Sequence, residues 1–525
     1  MSAESSHLIK TLATLPHPKL LSQLRKDVSS LTAVADDMFM TRDALVSMLS
    51  DDSRLEQKGA LFFAVRGHSS DGHDFIGEAV KNGAVAAVVE KLVDVDIPQL
   101  VVKSVRGQMG VFASVFYDRP SEQMDIVGIT GTNGKTTTCH LVYSCFLATD
   151  DVAGEIGTIE NRVGNRSFPS ALTTPEAIEL QSLLYIMRKN NVRRAAMEVS
   201  SHALDLSRTA AINFRIGIFL NLTPEHLEYH KTMEAYFLAK AKLFNKNSCK
   251  QAVICIDDEW GKRLADMVEI PVFTFGYDKN ADFRIETVSH GLDGIELTIF
   301  SRNGTATIKS KLIGTVNANN LTAAYISATL LGIDKNTVIK TLESSVAPPG
   351  RFEIVSGAEP YLVSVDYAHT PEALGSLIET TRAISPNGGK ITVVLGARGN
   401  RFRAKRPLMG ETAETADRVI YTTDSPADED PLSIIKDMLG DRHLHTANIK
   451  NGTTCCHIVV ELNRSEAIKL AVANALAGDV VLITGRGHEN SQKISDSRVF
   501  LDDRDAAREA IRLKKSTGTG KRVKD

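Results

Sequence analysis

The feature that most constrains the fold of this chain is a glycine-rich turn between a predicted strand and a predicted helix, in VGITGTNGKTTTCHL. The strand is expected to end at Thr130, and Gly131 and Gly134 lead directly into Lys135 and Thr136. Glycine lets backbone N–H groups turn toward a phosphate because no Cβ stands in the way. The helix N-terminus adds a favourable dipole, the lysine a charge and the threonine a hydroxyl for Mg²⁺. This stretch therefore predicts an ATP-binding phosphate loop.

The chain is too long, at 525 residues, for a single hydrophobic core. Apolar runs such as MDIVGIT, RRAAMEVS and FRIGIFLNL alternate with helical stretches, and a second series contains YLVSVDYA, KITVVLGA and DVVLITGRG. Such runs predict parallel sheets covered on both faces. We predict an α/β fold with domains over residues 1–121, 122–346 and 347–525, the last junction falling near the Pro-Pro-Gly of SSVAPPGRFE.

Composition excludes several classes of protein. A formal net charge of -3 gives no electrostatic footprint for nucleic acid. No apolar run reaches the length of about 18 residues that a membrane helix needs, and the amino terminus predicts no signal peptide. The six cysteines are scattered without metal-ligand spacing, which is typical of a reduced compartment. We therefore expect a cytoplasmic protein with no membrane insertion.

Polar side chains follow two more predicted strands, in MEVSSHALDLSR and FLNLTPEHLEYH. Ligands collect outside the carboxyl ends of parallel strands, so these segments should face the phosphate loop. A carboxylate and a neutral imidazole, as in Glu198 and His226, suit a metal that bridges phosphate and substrate oxygens. Either histidine alone, His202 or His226, is more often a core or capping residue. For Lys240, in MEAYFLAKAKLF, helical periodicity alone favours a solvated lysine on an amphipathic helix.

Together these segments resemble the Mur ligase family, and within it the members that add the third residue of the peptidoglycan stem peptide. The resemblance covers nearly the whole chain. It implies a three-domain architecture with an N-terminal UDP-binding domain, a central P-loop ATPase domain with a parallel sheet and a C-terminal Rossmann-like domain. It also implies ATP and Mg²⁺ as cofactors and a lysine carbamate at Lys240, because that lysine falls on the carbamylated position of the family.

Three matching segments carry the ATP and metal assignments: GITGTNGKTTT, GTVNANNLTAA, and PGRFE with VDYAHTPEAL. The resemblance assigns ATP binding to Gly131, Thr132, Asn133, Gly134, Lys135, Thr136, Thr137, Asn317, Asn320, Arg351 and Asp366. The metal ligands would be Thr136, Glu198, His226 and carbamylated Lys240, and the catalytic residues Lys135, Glu198, His226 and Lys240.

Two further blocks, DSR with DGHDFIGEAVKNGA and the loop LTTPE, look like the sites for the UDP-muramoyl peptide. The residues assigned to this ligand are Ser53, Arg54, His73, Thr173, Thr174, Ser200 and Arg208. The implied reaction joins an amino acid to the D-glutamyl γ-carboxylate of UDP-N-acetylmuramoyl-L-alanyl-D-glutamate. ATP would convert that carboxylate into an acyl phosphate, which the amine of the incoming amino acid then attacks.

The incoming amino acid is predicted from TTDSPADEDP, GRGHE and GARGNRFRAKRP. Members that add meso-diaminopimelate carry D-N-P-R in the first segment, and its arginine holds the distal carboxylate of the substrate. Ala427 replaces that arginine here, and what remains of the loop is acidic. We therefore predict a basic amino acid, L-lysine, bound through Arg401, Asp424, Ser425, Pro426, Ala427, Gly485 and Glu489. L-Ornithine differs by one methylene and stays open. meso-Diaminopimelate stays open too, because Arg398 is an extra cation of unknown direction.

Two rival hypotheses remain. Folylpolyglutamate synthetase shares the phosphate loop and the lysine, but the N-terminal block favours a UDP-sugar. A catalytically silent nucleotide-binding paralogue is opposed by the intact Lys135, Glu198, His226 and Lys240. A monomer is expected by default, and the long segment of residues 445–464 has no explanation from the sequence.

Overall fold

A computed structural model describes residues 16–31, 39–67, 70–149, 152–357, 359–385, 388–440 and 457–517. Within these limits the chain forms two compact units. The first comprises Met1–Leu222, His230–Arg284 and Leu321–Thr341, and the second comprises Thr223–Tyr229, Ile285–Asn320 and Leu342–Asp525. Residues 445–456 of the unexplained segment lie outside the described residues.

The N-terminal part of the first unit contains a five-stranded sheet. Its order is Phe39–Met40, Gln99–Val101, Ala84–Val89, Ala60–Phe63 and Met48–Ser50. Only the first pair is antiparallel. Lys19–Leu20 and Leu45–Val46 form a separate two-stranded antiparallel sheet. The core of this part also takes in Ala177, Ile178 and Tyr185, which lie beyond the predicted boundary at residue 121. Apolar packing therefore continues across that boundary.

The central sheet of the first unit carries the phosphate loop. Its parallel strands run in the order Gly154–Ile156, Arg194–Glu198, Asp125–Thr130, Phe214–Phe219, Ala252–Cys255 and Val272–Gly276. Glu160–Val163 and Arg166–Pro169 extend one edge as an antiparallel pair, and Phe283–Gly291 pairs with the other. The predicted strands are therefore confirmed. The loops after Thr130, Glu198 and Phe219 emerge side by side because their strands are neighbours.

Helices cover these sheets, and several begin at side-chain caps that satisfy the first backbone N–H groups. Ser104 accepts a hydrogen bond from Gly107 N–H, and Asp258 from Gly261 N–H. The helices of the first unit are Leu21–Leu31, Ile76–Lys81, Val105–Phe116, Lys135–Leu147, Ala177–Lys189, Ser201–Asp205, Met233–Ala241 and Glu259–Met267. Leu227–His230, Val316–Leu330 and Lys335–Ser344 include residues of both units.

The second unit contains a six-stranded sheet in the order Glu353–Ile354, Leu362–Val365, Val480–Ile483, Ile391–Leu395, Arg418–Tyr421 and Ile458–Val460. All pairs except the first are parallel. Its helices are Pro371–Ile384, Lys405–Ala413, Pro431–Leu439, Arg464–Asn474 and Asp503–Thr517. Two antiparallel hairpins complete it, Gly294–Ser301 with Gly304–Ser310 and Ser491–Ile494 with Ser497–Phe500. The predicted second α/β series is confirmed.

No helix among the described residues is both long and apolar enough to cross a membrane. The four cysteines of the described chain, Cys139, Cys145, Cys249 and Cys255, are buried free thiols. Burial raises the pKa of each thiol, that of Cys145 to about 12, so they pack as apolar side chains.

Candidate active site

The phosphate loop has the strand–turn–helix form that its sequence predicts. Gly131 and Gly134 both adopt positive φ angles, of 155° and 87°. A Cβ at Gly131 would lie 3.0 Å from the Leu220 Cβ, so glycine also permits the close approach of the neighbouring strand. Asn221 holds the loop, since its Oδ1 accepts the Asn133 N–H at 2.9 Å. The Lys135 Nζ donates to the Gly131 and Thr132 carbonyls at 2.9 and 2.8 Å. The lysine therefore lies folded over its own loop.

Glu198 lies at the end of the neighbouring strand and is only 1% exposed. Its Oε2 accepts the Thr136 hydroxyl at 3.0 Å, and its Oε1 accepts the Thr158 N–H at 2.7 Å. The Thr158 hydroxyl also donates to Oε2, at 3.1 Å. These bonds aim the carboxylate at the first turn of the phosphate-loop helix, as the strand order predicts.

The donor chemistry at Thr136 and Glu198 fits Mg²⁺, which prefers hard oxygen ligands and keeps several waters. Of the other two predicted metal ligands, Lys240 lies in the first unit together with Thr136 and Glu198, whereas His226 lies in the second. Among the described residues, no cluster of three histidine, cysteine or acidic side chains forms a metal site by itself. The four-residue metal set therefore stays a prediction.

Lys240 is buried, at 1% exposure, so the solvated lysine that helical periodicity favours is wrong. Its Nζ donates to the Gly131 carbonyl at 2.8 Å and lies 4.5 Å from the Tyr236 ring centroid. The His230 ring stacks on the Tyr236 ring, with 5.1 Å between the two ring centroids. Burial, followed by the charge of His202, lowers the pKa of His230 to about 4. Lys240 therefore lies beside the phosphate loop.

Several residues predicted to bind the muramoyl peptide lie around the Glu198 strand end. The Thr174 hydroxyl donates to the Glu198 carbonyl at 2.9 Å and accepts the Ser200 N–H at 3.1 Å. Arg208 donates to the Thr174 carbonyl at 3.1 Å and pairs with Glu176 at 2.7 Å. Thr173 contacts the Thr158 hydroxyl at 3.1 Å. The structure thus brings four predicted residues, Thr173, Thr174, Ser200 and Arg208, to one loop cluster.

The predicted UDP contacts are less uniform. The Ser53 hydroxyl donates to Glu78, and exposed Arg54 pairs with Asp52 at 2.7 Å. His73 is buried, and both of its ring nitrogens are engaged within the protein. Nδ1 lies 2.6 Å from Asp71 Oδ1, and Nε2 accepts the Glu90 N–H at 2.9 Å. A direct bond from His73 to a nucleotide would require one of these contacts to break.

In the second unit, the PGRFE segment packs directly on the GRGHE segment. A Cβ at Gly350 would lie 2.2 Å from the His488 backbone nitrogen, so only glycine fits there. Asp366 accepts the Phe352 N–H at 2.6 Å, and burial, partly offset by Arg351, raises the pKa of Asp366. The Arg351 guanidinium lies 4.6 Å from the Tyr367 ring centroid. The predicted ATP loop and the predicted amino-acid loop therefore meet at one point.

The carboxylates of TTDSPADEDP have partners within the chain. Asp428 accepts a hydrogen bond from the Asn400 side chain at 2.8 Å, and Asp430 caps the helix that begins at Pro431. Glu429 binds buried Arg406, and this hydrogen bond lowers the pKa of Glu429 to about 2. Asp424 is 1% exposed. The acidic run is thus mostly a structural loop, and Asp424 is its buried member.

Four further residues are predicted to bind the amino acid or ATP. Arg401 is exposed in the loop that follows the strand Ile391–Leu395. The Asn317 side chain donates to the Ile313 carbonyl at 2.7 Å and accepts from the Asn320 side chain at 2.9 Å. Ala427, where diaminopimelate-adding members have arginine, pairs with Lys493 and Ser495 through its backbone. The roles of these residues stay predictions.

Sequence reasoning missed Thr158, Arg406, Arg464, Arg486 and Asp503 as parts of this framework. Thr158 follows a short strand beside Arg194–Glu198, so its position after a strand end was the available signal. For Arg406, Arg464 and Asp503 no local signal exists, because their partners are distant in sequence. Arg464 and Asp503, 39 residues apart, form a fully buried ion pair with contacts of 2.8 and 2.7 Å.

Three family descriptions match this chain. Residues 45–117 match the Mur ligase family, catalytic domain, residues 129–328 the Mur ligase middle domain, and residues 350–487 the Mur ligase, glutamate ligase domain. Each match lies inside one of the three predicted domains, whose exact boundaries stay a prediction.

Relatives with known names are similar over nearly the full length. A Bacillus velezensis protein named UDP-N-acetylmuramoyl-L-alanyl-D-glutamate–2,6-diaminopimelate ligase is 38% identical over 477 residues, covering 89% of this chain and 95% of its own. An Aquifex aeolicus protein of the same name is 39% identical, with 88% and 92% covered. A solved structure with this name has a TM-score of 0.64 at 32% identity, covering 90% of this chain and 96% of that one.

The comparisons agree with the geometry: a phosphate loop, an acidic strand end beside it and a second α/β unit with amino-acid-ligase segments. The chain therefore belongs to the Mur ligase family, whose members are ATP-dependent ligases that use Mg²⁺.

Proposed function

We propose that this chain adds the third amino acid of the peptidoglycan stem peptide, by ATP-dependent ligation to the D-glutamyl γ-carboxylate of UDP-N-acetylmuramoyl-L-alanyl-D-glutamate. The observation that carries this proposal is the arrangement of Lys135, Thr136 and Glu198 at adjacent strand ends, in a chain 38% identical to a named ligase of that substrate. The muramoyl-peptide segment around Thr174 lies at the same strand end.

The chemistry needs activation because a carboxylate does not acylate an amine at neutral pH. The D-glutamyl carboxylate attacks the γ-phosphorus of ATP, the bond to ADP breaks, and an acyl phosphate forms. The amine of the incoming amino acid then attacks the acyl carbon, and inorganic phosphate leaves as the amine loses a proton. Lys135 and Arg351 would stabilise charge that develops on the phosphoryl oxygens. Thr136 and Glu198 would hold Mg²⁺, which neutralises phosphate charge when bound.

The amino acid itself carries a distal amino group in this proposal. Asp424 and Glu489 are the acceptors, since both lie within ion-pair distance of a single side chain, Arg398. L-Lysine is the candidate that the missing arginine at Ala427 supports, with L-ornithine one methylene shorter. meso-2,6-Diaminopimelate is a second candidate, supported by Arg398 itself and by the names of the relatives.

The test is phosphate release from ATP with UDP-N-acetylmuramoyl-L-alanyl-D-glutamate and each of the three amino acids, with product masses determined. Turnover that needs both the dipeptide and an amino acid is the expected result. A reaction without amino acid present measures uncoupled hydrolysis. Turnover with a pteroate and glutamate instead would favour a folylpolyglutamate synthetase. No turnover with any pair would favour the silent paralogue.

We also propose that Lys240 works as a carbamate, which is an anion able to help hold Mg²⁺. The support is its burial beside the phosphate loop, 2.8 Å from the Gly131 carbonyl. Removal of bicarbonate should lower the rate and its return should restore it, while Lys240→Ala should abolish ligation. Lys242→Ala is the matched control, because Lys242 is half exposed and pairs with Asp205 at 2.7 Å. Full activity of the Lys240→Ala protein would contradict this role.

A cytoplasmic location and a monomeric state remain parts of the proposal. Both can be checked together by fractionation and by size-exclusion chromatography with light scattering, which should give the mass of 57.1 kDa for one chain.

A further inference from the structure

Three loops that follow neighbouring strands meet in the second unit. Arg398 follows Ile391–Leu395, Asp424 follows Arg418–Tyr421, and Glu489 lies beyond Val480–Ile483. The strand Ile391–Leu395 stands between the other two, paired in parallel with each. The loop with Arg398 therefore emerges between the two loops that carry the predicted acceptors of a substrate ammonium.

The Arg398 guanidinium contacts both acids. It binds the Glu489 carboxylate directly, and its Nε lies 3.8 Å from Asp424 Oδ1. Burial opposes the charge of Arg398, but Asp424, Tyr367 and Glu489 outweigh that effect and raise its pKa. Arg398 is therefore a permanent cation between the two acids.

Two further arginines, Arg486 and Arg464, compensate the charges of Asp424 and Asp503. Arg486, which is fully buried, lies 3.9 Å from Asp424 and 3.7 Å from Asp503. Asp503 in turn binds Arg464 at 2.7 Å. This charge network alternates cations and anions in the order Arg464, Asp503, Arg486, Asp424, Arg398 and Glu489. Its three cations equal its three anions, so the six groups together carry no net charge.

Four buried atoms of this network have no hydrogen-bond partner within the described part of the chain: Arg464 Nη1, Arg486 Nε, Asp424 Oδ1 and Arg398 Nε. The last two belong to neighbouring loops and lie 3.8 Å apart, beyond hydrogen-bond length. Buried polar atoms of this kind are rare unless a ligand or water completes them. Asp424 Oδ1 is an acceptor for an ammonium and Arg398 Nε a donor for a carboxylate, so this pair suits a group that carries both charges.

From this we propose that Arg398 is a specificity-determining residue, which makes the site select an amino acid whose far end bears an ammonium and a carboxylate together. This rests on the proposed function. A lone ammonium would add an uncompensated charge to a balanced network in which four of the six side chains are fully buried, which costs free energy. A zwitterionic end adds none, and its carboxylate is bound by Arg398, the cation that contacts both acids. Without Arg398, the two acids would be left for a lone ammonium.

The test compares kcat/KM for meso-2,6-diaminopimelate, L-lysine and L-ornithine at saturating ATP and UDP-muramoyl dipeptide. The intact protein should prefer diaminopimelate by at least about 100-fold, because L-lysine and L-ornithine lack the distal carboxylate that Arg398 would bind. Arg398→Gln should shift the ratio of diaminopimelate to lysine by at least about 100-fold toward lysine, mainly through the KM of the amino acid.

Glu489→Gln provides a second variant with the opposite direction, because it frees Arg398 for a carboxylate and removes an acceptor of the ammonium. Its ratio should move toward diaminopimelate. Arg403→Gln is the matched control, since exposed Arg403 lies in the same loop but pairs with Asp437 at 2.7 Å, and its ratio should equal that of the intact protein.

A preference of the intact protein for lysine would overturn the inference while leaving the proposed ligase in place. So would an equal ratio before and after both substitutions. Absence of turnover with every amino acid would overturn the proposed function first, and the inference with it. The three failures give different patterns in the same assay.

Discussion

The phosphate loop and the acidic loop both follow parallel strands, but they differ in how far along the sequence the residues that determine their function lie. The phosphate loop works through backbone N–H groups, two glycines and an adjacent lysine, all within a few residues. The acidic loop has carboxylates whose partners are distant in sequence, as in Glu429 with Arg406, 23 residues away, and Asp428 with Asn400, 28 residues away. Sequence therefore reports the function of the first directly, and the charge of the second misleads until its partners are known.

The largest effect is expected for Lys135→Ala, which tests whether the phosphate loop functions through residues close together in sequence. Loss of a positioned cation at the transferring phosphoryl group should lower kcat by about 1,000-fold or more. Phosphate release at saturating substrates measures it. Hydrogen exchange across the strand Asp125–Thr130 should change little, because the Lys135 Nζ donates to the Gly131 and Thr132 carbonyls, which lie in the loop after that strand. A variant within tenfold of the parent would mean that Lys135 does not contact the reacting phosphate.

A large loss of stability is expected for Asp503→Asn, which tests the ion pairs between residues distant in sequence. Arg464 and Arg486 would keep their buried charges without the carboxylate between them, and broken buried pairs cost about 3–5 kcal/mol. Hydrogen exchange in the strand Val480–Ile483 should accelerate accordingly. Fluorescence of Trp260, the single tryptophan, reports the first unit and should keep its unfolding midpoint.

Asp505→Asn is the matched control for that substitution. Asp505 lies on the same helix but is exposed and pairs with Arg508 at 3.1 Å. An exposed pair contributes about 0–1 kcal/mol, so exchange in the same strand should change little. Equal effects of the two substitutions would show that the helix, rather than the buried charge, determines stability there.

Most of the fold was predictable because strands buried on both faces leave near-continuous apolar runs, as in Asp125–Thr130 and Val480–Ile483. The approach of Thr136 to Glu198 was predictable too, since parallel strand order places their loops together. The burial of Lys240 was not available from helical periodicity, and only the family resemblance indicated it. The pairing of Arg398 with two acids could not be predicted, because a loop residue carries no pattern that reveals the direction of its side chain.

A smaller effect is expected from His488, which lies where the two predicted ligand loops meet. Burial, followed by the charge of Arg351, lowers the pKa of His488 to about 4. Between pH 6.5 and 4 the unfolded chain binds a proton that the folded chain does not, so His488 makes stability fall as pH falls through this window. The loss reaches at most about 3 kcal/mol.

His488→Gln removes that titration. The pH dependence of exchange in Val480–Ile483 should therefore be shallower in the variant than in the parent between pH 6.5 and 4, and parallel above pH 7. Identical slopes in the acid window would show that His488 is solvated enough to bind its proton in the folded chain.

The smallest effect is expected for Asp428→Asn, and it decides whether the acidic run acts as a field or as separate contacts. Asp428 is exposed, and the Asn400 side chain donates to it at 2.8 Å. If its charge only completes a loop, kcat/KM for a cationic amino acid should change by less than about twofold and stability by about 0.5 kcal/mol or less. A tenfold rise in the KM of L-lysine, reversed by low salt, would instead mean that the loop attracts the substrate by its summed charge. That result would show that the function of the acidic loop, like that of the phosphate loop, can be inferred from its own sequence.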